Sequence, residues 1–200
     1  MRFDLNTGII ILCFSIALFT LIGLAIAASP QLERAVLASD GVREASPLEL
    51  HEALERHEDV RAFILRSEEL EAATPEERAH LADVRRLTEI LIGVSLLLMG
   101  IGVGAMRRTT LGYRAIARRV SVSIIGIVVV LASLAGIIGF EALFWNFHFV
   151  FFPQGNFAFP TDSYLITLYP YVFFAYMAAW TGALLIAIMG VVYTLSRERR

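Results

Sequence analysis

Cysteine is almost absent from this sequence, since Cys13 is its single example and lies inside a long apolar run. One thiol can form neither a disulfide within the chain nor a relay of thiols. Membrane disulfide oxidoreductases are therefore excluded. Lysine is missing altogether, so arginine supplies all 17 basic residues. That bias alone indicates no function.

Charge is also scarce. Charged residues make up 18% of the chain, whereas 57% is hydrophobic and the mean hydropathy is +0.67. Soluble domains carry about a quarter of their residues as charges, so this composition indicates an integral membrane protein.

A glycine-rich phosphate loop, an internal repeat and a basic patch for nucleic acid are all absent from the sequence. Nucleotide and nucleic-acid partners are therefore not expected.

Four apolar runs have about the length that a helix needs to cross a hydrocarbon core of ~30 Å. They cover residues 8–28, 87–106, 120–140 and 171–195. Ala25-Ile26-Ala27 resembles a signal-peptidase site, but the first run is longer than a signal peptide's apolar region, so we expect it to be retained. The predicted fold class is all-α, a four-helix transmembrane bundle.

Arginine placement predicts how these spans are oriented. Residues 107–119 contain five arginines and no acid, and the tail 196–200 is also basic, with weaker agreement from Arg2. The positive-inside rule makes these segments cytoplasmic. With four spans, both termini then lie in the cytoplasm, and residues 29–86 and 141–170 share the outer side.

Residues 29–86 predict a small helical extracytoplasmic domain between spans 1 and 2. Two capping boxes, in which a Ser or Thr is followed three residues later by Glu, predict its helix starts. Ser46 to Glu49 predicts a helix beginning at Pro47, and Thr74 to Glu77 predicts one continuous helix from Pro75 through the second span. Small residues in the spans predict close helix contacts at Gly100, Gly104, Ala132, Gly136, Gly139, Gly182 and Ala183.

Residues 141–170 predict an aromatic interfacial segment between spans 3 and 4, because aromatic side chains collect at headgroup level. Polar groups near hydrocarbon are rare and usually functional, since burying them unpaired is costly. The candidates are His80 with Asp83, Glu141 and His148. Each has an alternative: His80 and Asp83 as solvated residues, Glu141 as a marker of the end of a span, and His148 as an interfacial residue.

The other two histidines are expected to be structural. His51 and His57 are six residues apart and so lie on nearly opposite sides of a helix. His51 is predicted to be on the surface, and His57 to be partly buried on an amphipathic face. Four scattered histidines without a short ligand pair argue against zinc, so neither a metal nor a cofactor is expected.

Two strings, EERAHLADVRRL at 76–87 and FHFVFFPQGNFAFPTDSYLITLYPYVFF at 147–174, resemble the lipoprotein intramolecular transacylase (Lit) family of bacterial four-span membrane proteins. The first string matches an H-x-x-D-V motif before span 2, and the second an F-H-x-x-F-F motif after span 3. The matching positions are His80, Asp83, Val84, Phe147, His148, Phe151, Phe152, Asp162 and Pro170.

The resemblance implies an acyltransferase of the plasma membrane. It would move the sn-2 acyl chain of a diacylglyceryl-cysteine lipoprotein to the free α-amine of that cysteine, giving a lyso-form lipoprotein. His80 and His148 would be catalytic, acting as general acid and base on the outer face. The expected supporting residues are Asp83, Glu141, Asp162 and Tyr164, and the expected contacts to substrate lipid are Phe147, Phe151 and Phe152.

Two other functions stay open on the sequence. A non-enzymatic membrane adaptor could bind a partner through the acidic domain at 29–86, and would tolerate replacement of both motif histidines. A cytochrome b-like protein would use two histidines as haem ligands, but His80 and His148 both lie outside the predicted spans.

Overall fold

The computed structural model describes residues 5–197, and within that range the chain is all-α. Its helices are α1 (Leu5–Ala27), α2 (Pro30–Leu37), α3 (Asp40–Ala45), α4 (Leu50–Arg66), α5 (Pro75–Met106), α6 (Tyr113–Ile138), α7 (Phe140–Phe151), α8 (Tyr164–Leu168) and α9 (Tyr171–Leu195). Four of them, α1, α5, α6 and α9, are long and apolar enough to cross a membrane. Arg2, Arg199 and Arg200, which contribute to the predicted orientation, lie outside the described residues.

The chain divides into two compact units. One consists of the described residues of Met1–Ala27, Ile90–Leu134 and Ala179–Arg200. Apolar side chains of α1, α6 and α9 form its buried core, at Ile10, Phe14, Ile116, Val120, Ile124, Val128, Leu185 and Met189. From α5, Met99, Ala105 and Met106 pack against this core.

The prediction of close contacts at small residues is largely wrong. A Cβ at Gly100, Gly104 or Gly136 would meet nothing within 4 Å. Ala132 and Ala183 are exposed. The spacing of small residues identifies a helix face, but only the packing decides whether that face meets a neighbour.

Two glycines of the first unit do approach a neighbouring helix closely, one that was predicted and one that was not. A Cβ at Gly182, which was predicted, would come within 3.2 Å of Val128. A Cβ at Gly102, which was not, would come within 3.1 Å of the Phe14 ring. Gly102 is two residues, or about 200° of helical rotation, from Gly100.

The second unit comprises Ala28–Glu89 and Ala135–Ala178. Helix α4 packs against α2 and α8 in it. The predicted start of α4 at Pro47 is wrong, because the helix begins at Leu50 with Glu49 as its N-cap. The hydroxyl of Ser46 instead donates to the carbonyl oxygen of Thr167 at 2.7 Å and accepts from the backbone N–H of Leu48 at 3.2 Å. The Ser46 oxygen that a capping box would use as acceptor thus accepts from Leu48 instead, and its proton is held by Thr167.

The second capping box forms as predicted. The Thr74 N–H donates to Glu77 Oε2 at 2.9 Å, and the Glu77 N–H donates to Thr74 Oγ1 at 3.2 Å. Helix α5 begins at Pro75 and continues without a break to Met106. This fixes the rotation of the helix turn that follows the box, which carries His80.

Candidate active site

Helix α5 buries the first motif histidine. The His80 side chain is 8% exposed and lies one turn after Glu77. Asp83 follows one turn further along, since residues three apart share a helix face. His80 and Asp83 precede the apolar part of α5, so both belong to the second unit.

Helix α7 carries the second motif histidine. It starts directly after α6, and Gly139 between them has a φ of 85°, a left-handed value that favours glycine. In α7, His148 Nδ1 lies 2.8 Å from the carbonyl oxygen of Phe144. A carbonyl oxygen only accepts, so His148 Nδ1 carries the proton and Nε2 carries the lone pair.

The rings of His80 and His148 stack on each other. Their ring centroids are 6.1 Å apart and the ring planes are inclined by 30°. The edge of Phe152 packs on His80 at 4.9 Å, and Phe159 does so at 5.7 Å. Phe157 packs on His148 at 5.1 Å. The aromatic stretch therefore builds an apolar wall around the pair.

The apolar wall lowers the pKa of both imidazoles and so keeps them neutral. Burial, together with the adjacent His148, lowers the pKa of His80 to about 4, while Asp83 and Asn156 oppose the change. Burial also lowers the pKa of His148, against the hydrogen bond to Phe144. Neutral imidazoles can take up a proton, so the pair is suited to act as general base.

Asp83 does not hydrogen-bond His80. Its carboxylate oxygen Oδ2 accepts from Gln154 Nε2 at 2.9 Å and from Asn156 Nδ2 at 2.7 Å. Sequence reasoning missed both amides. The available signal was the polar tripeptide Gln154-Gly155-Asn156 within an otherwise aromatic stretch.

The three phenylalanines expected to contact substrate lipid fall into two groups. Phe147 and Phe151 are 45% and 43% exposed, and their rings pack together at 4.7 Å. Phe152 is 3% exposed and packs against both histidines. Phe152 is therefore part of the wall behind the pair.

The structure does not bring the other predicted supporting residues to the histidines. Tyr164 lies under the guanidinium of Arg56, at 5.0 Å from its ring centre, and lines an open cavity with Arg56, Asp59 and Asp162. Burial, together with the charge of Asp59, raises the pKa of Tyr164 to about 12. Glu141 is exposed in the first turn of α7, where a carboxylate complements the helix dipole.

A second buried polar cluster surrounds His57, which is 2% exposed and hence more buried than predicted. His57 Nδ1 lies 2.7 Å from the Tyr169 hydroxyl, and its Nε2 lies 3.4 Å from Glu33, which also pairs with Arg61. Removal of the hydroxyl from water raises the pKa of Tyr169. His51 is exposed, as predicted.

Comparison with solved structures identifies this fold. The chain matches the membrane-integral lipoprotein intramolecular transacylase Lit of Bacillus cereus with a TM-score of 0.77 and 16% identity, covering 96% of this chain and 92% of that one. A variant of the same protein with a histidine replaced by arginine matches with a TM-score of 0.75 and 16% identity, covering 96% and 89%. One with a histidine replaced by alanine matches with a TM-score of 0.74 and 17% identity, covering 96% and 91%.

A search of curated protein sequences finds no match. The family model described as "Lipoprotein intramolecular transacylase Lit" matches residues 7–174, which run from the first turn of α1 to the first turn of α9. Four apolar helices and a membrane-integral fold make the chain a multi-pass membrane protein. The chain belongs to the lipoprotein intramolecular transacylase (Lit) family.

Proposed function

We propose that this protein moves the sn-2 acyl chain of a diacylglyceryl-cysteine lipoprotein to the α-amine of the same cysteine. The neutral amine nitrogen attacks the ester carbonyl carbon, a C–N bond forms and the C–O bond to glycerol breaks. One proton passes from the nitrogen to the glycerol oxygen. The product is a lyso-form lipoprotein with an N-acyl and an S-monoacylglyceryl group, and the reaction needs no cofactor and no nucleophile from the enzyme.

The observation that carries this proposal is the stacked pair of neutral histidines, His80 and His148, inside an aromatic wall. Acyl transfer from oxygen to nitrogen moves one proton from the amine nitrogen to the leaving glycerol oxygen. One imidazole of the pair takes it from the attacking amine, and the imidazolium so formed is the acid that the leaving glycerol oxygen needs. Such general acid–base action contributes about 10²–10⁴-fold.

Positioning contributes more than proton transfer does. The amine and the ester belong to one substrate molecule, and holding them in contact corresponds to effective molarities of about 10⁵–10⁸ M. The apolar wall of Phe152, Phe157 and Phe159 would exclude water, which would otherwise compete with the amine and hydrolyse the ester. Exposed Phe147 and Phe151 would contact the acyl chains of the substrate.

We place residues 29–86 and 141–170 on the outer side of the plasma membrane, with both termini in the cytoplasm. The arginine-rich segment 107–119 supports this orientation by the positive-inside rule. Helix α7 would lie at headgroup depth, where the ester and amine of an anchored lipoprotein also lie. Its exposed aromatic side chains, Trp145, Phe147, Phe149 and Phe151, suit that depth.

The decisive test is mass spectrometry of the amino-terminal peptides of lipoproteins from a bacterial host that makes lipoproteins with a free α-amine, with and without this protein. We expect the lyso form only when the protein is present. Replacing His148 by Ala should abolish its formation, whereas the same replacement at exposed His51 should leave it unchanged. Diacylglyceryl cysteine that keeps a free amine in the presence of the protein would refute the proposal.

A further inference from the structure

The carboxylate of Asp83 anchors a turn of the aromatic stretch to helix α5. Two side-chain amides of that turn donate to one of its oxygens, Gln154 at 2.9 Å and Asn156 at 2.7 Å. Gly155 between them has a φ of 78°, and its N–H donates to the carbonyl oxygen of Phe152 at 3.0 Å. The turn thereby directs both amides towards the same carboxylate.

Two polar side-chain atoms beside this turn are buried and lack a well-aligned hydrogen-bond partner within residues 5–197. They are Nδ1 of His80 and Oδ1 of Asn156. Buried polar groups are almost always paired in folded proteins. The ring nitrogen of His80 can donate a hydrogen bond and the amide oxygen of Asn156 can accept one, so the two atoms complement each other.

The orientation of the Asn156 amide follows from Asp83. A carboxylate oxygen accepts hydrogen bonds and has no proton to donate, so Asn156 must present its NH₂ group to Asp83. The amide oxygen is then the atom left for His80. The side chain of Asn156 also raises the pKa of His80, against the lowering by burial, as expected of an acceptor for a ring N–H.

We propose that Asn156 is a positioning residue that holds His80 in the Nδ1–H tautomer and leaves its Nε2 lone pair free, with Asp83 acting through Asn156. The sequence of contacts is Asp83 to Asn156 to His80. Because the hydrogen bond on one ring nitrogen decides which nitrogen carries the proton, this contact selects the nitrogen that serves as base. The functional part of this inference rests on the transacylase function proposed above.

The consequence is a symmetric pair. His148 already carries its proton on Nδ1, since that atom faces the Phe144 carbonyl. With His80 in the same tautomer, both rings have Nε2 free, and either nitrogen is available to receive the amine proton. A His80 ring protonated on Nε2 instead would carry its lone pair on buried Nδ1, and its Nε2 would not be available as base.

The direct test is NMR of the purified full-length protein in nanodiscs, with ¹⁵N-labelled histidine. The ¹⁵N shifts report which ring nitrogen is protonated, and a His80→Ala sample identifies the His80 signals. We expect the Nδ1–H tautomer in the wild type and a shift towards Nε2–H in Asn156→Ala. The matched control is Asn146→Ala, because Asn146 is exposed and donates to the Ala142 carbonyl of its own helix. It should leave the spectrum unchanged.

Two further variants separate positioning from folding. Asp83→Asn keeps the size of the side chain but no longer forces the Asn156 amide into one orientation, so it should shift the tautomer in the same direction by less. Gln154→Ala removes the other donor to Asp83 and should leave the His80 tautomer as in the wild type. A His80 tautomer that stays the same in Asn156→Ala and in Asp83→Asn overturns the inference.

Kinetics supplies the second readout. Asn156→Ala should lower kcat by about 10–100-fold, the usual effect of removing a group that orients a working side chain, with KM changed by less than about threefold. Asn146→Ala should retain wild-type kcat. A shifted tautomer with unchanged kcat would refute the role of Asn156 in the reaction. A wild-type protein without transacylase activity would refute the proposed function, while the tautomer measurement would still decide the contact between Asn156 and His80.

Discussion

Replacing Glu77 by alanine should destabilise the protein strongly, although a glutamate usually lies in solvent. Glu77 is 1% exposed. Its Oε2 accepts from the Thr74 N–H at 2.9 Å within the capping box, and its Oε1 accepts from the N–H of buried Leu165 at 2.8 Å. The second bond ties the first turn of α5 to α8, across 88 residues of sequence.

The size of the effect follows from these two bonds. Losing a capping interaction costs about 0.5–2 kcal/mol. Leaving a buried N–H such as that of Leu165 unpaired costs about 1–3 kcal/mol. Together they predict a loss of about 2–4 kcal/mol, or a lowering of Tm by roughly 5–15 °C for a chain of this size. Glu77→Gln should fall between wild type and Glu77→Ala, since its single amide oxygen can replace only one carboxylate acceptor.

The assay is thermal unfolding of the purified variants in one detergent at one scan rate. Glu76→Ala is the matched control, because Glu76 lies in the same turn of α5 and is exposed. It should change the free energy of unfolding by less than ~0.5 kcal/mol. If Glu77→Ala unfolds at the same temperature as Glu76→Ala, the argument that Glu77 joins α5 to α8 is wrong.

Three more predictions follow from the site. The rate of transacylation should rise from pH 6 to about pH 8, as the substrate α-amine loses its proton. Burial lowers the pKa of His80 to about 4, so its ring is already neutral throughout this range. A rate profile with its midpoint near pH 4 would contradict this. Tyr169→Phe should lower stability to denaturant by about 1–3 kcal/mol, since it leaves buried His57 without its 2.7 Å partner, whereas Tyr171→Phe, at an exposed position, should have little effect. Gly155→Ala should reduce transacylation, because alanine at a φ of 78° costs about 1–2 kcal/mol and shifts the turn. The added Cβ would meet nothing within 4 Å, so the effect tests the backbone conformation and not a steric clash. Wild-type activity in this variant would show that the conformation is unimportant.

Local chemistry explains why parts of the fold were predictable. The capping box at Thr74 and Glu77 involves residues three apart, so the sequence alone specifies it, and the continuous helix to Met106 follows from the absence of a breaker. The box at Ser46 has the same pattern but does not form, because the Ser46 oxygen accepts from the N–H of Leu48 and its hydroxyl donates to the carbonyl of Thr167, 121 residues away. Identical local signals therefore led to different outcomes.

The aromatic stretch shows the same limit. Its composition indicates an apolar surrounding for His148, and the ring contacts agree. The sequence did not indicate that Phe140–Phe151 forms a helix, because an aromatic run without periodicity does not distinguish a helix from an irregular segment. It also did not separate buried Phe152 from exposed Phe151, because it did not indicate that the helix ends between them, where Phe152 leaves the helical conformation.

The sequence by itself determined that the chain is an all-α membrane protein with four long apolar helices, and it singled out His80, Asp83 and His148. These conclusions depend on composition, on run length and on motifs of a few residues. Tertiary structure alone decided which partners these side chains meet. Asp83 binds Asn156 across 73 residues, and His57 binds Tyr169 across 112. No local rule relates residues so far apart, because the hydrogen bond between them exists only after the helices have packed.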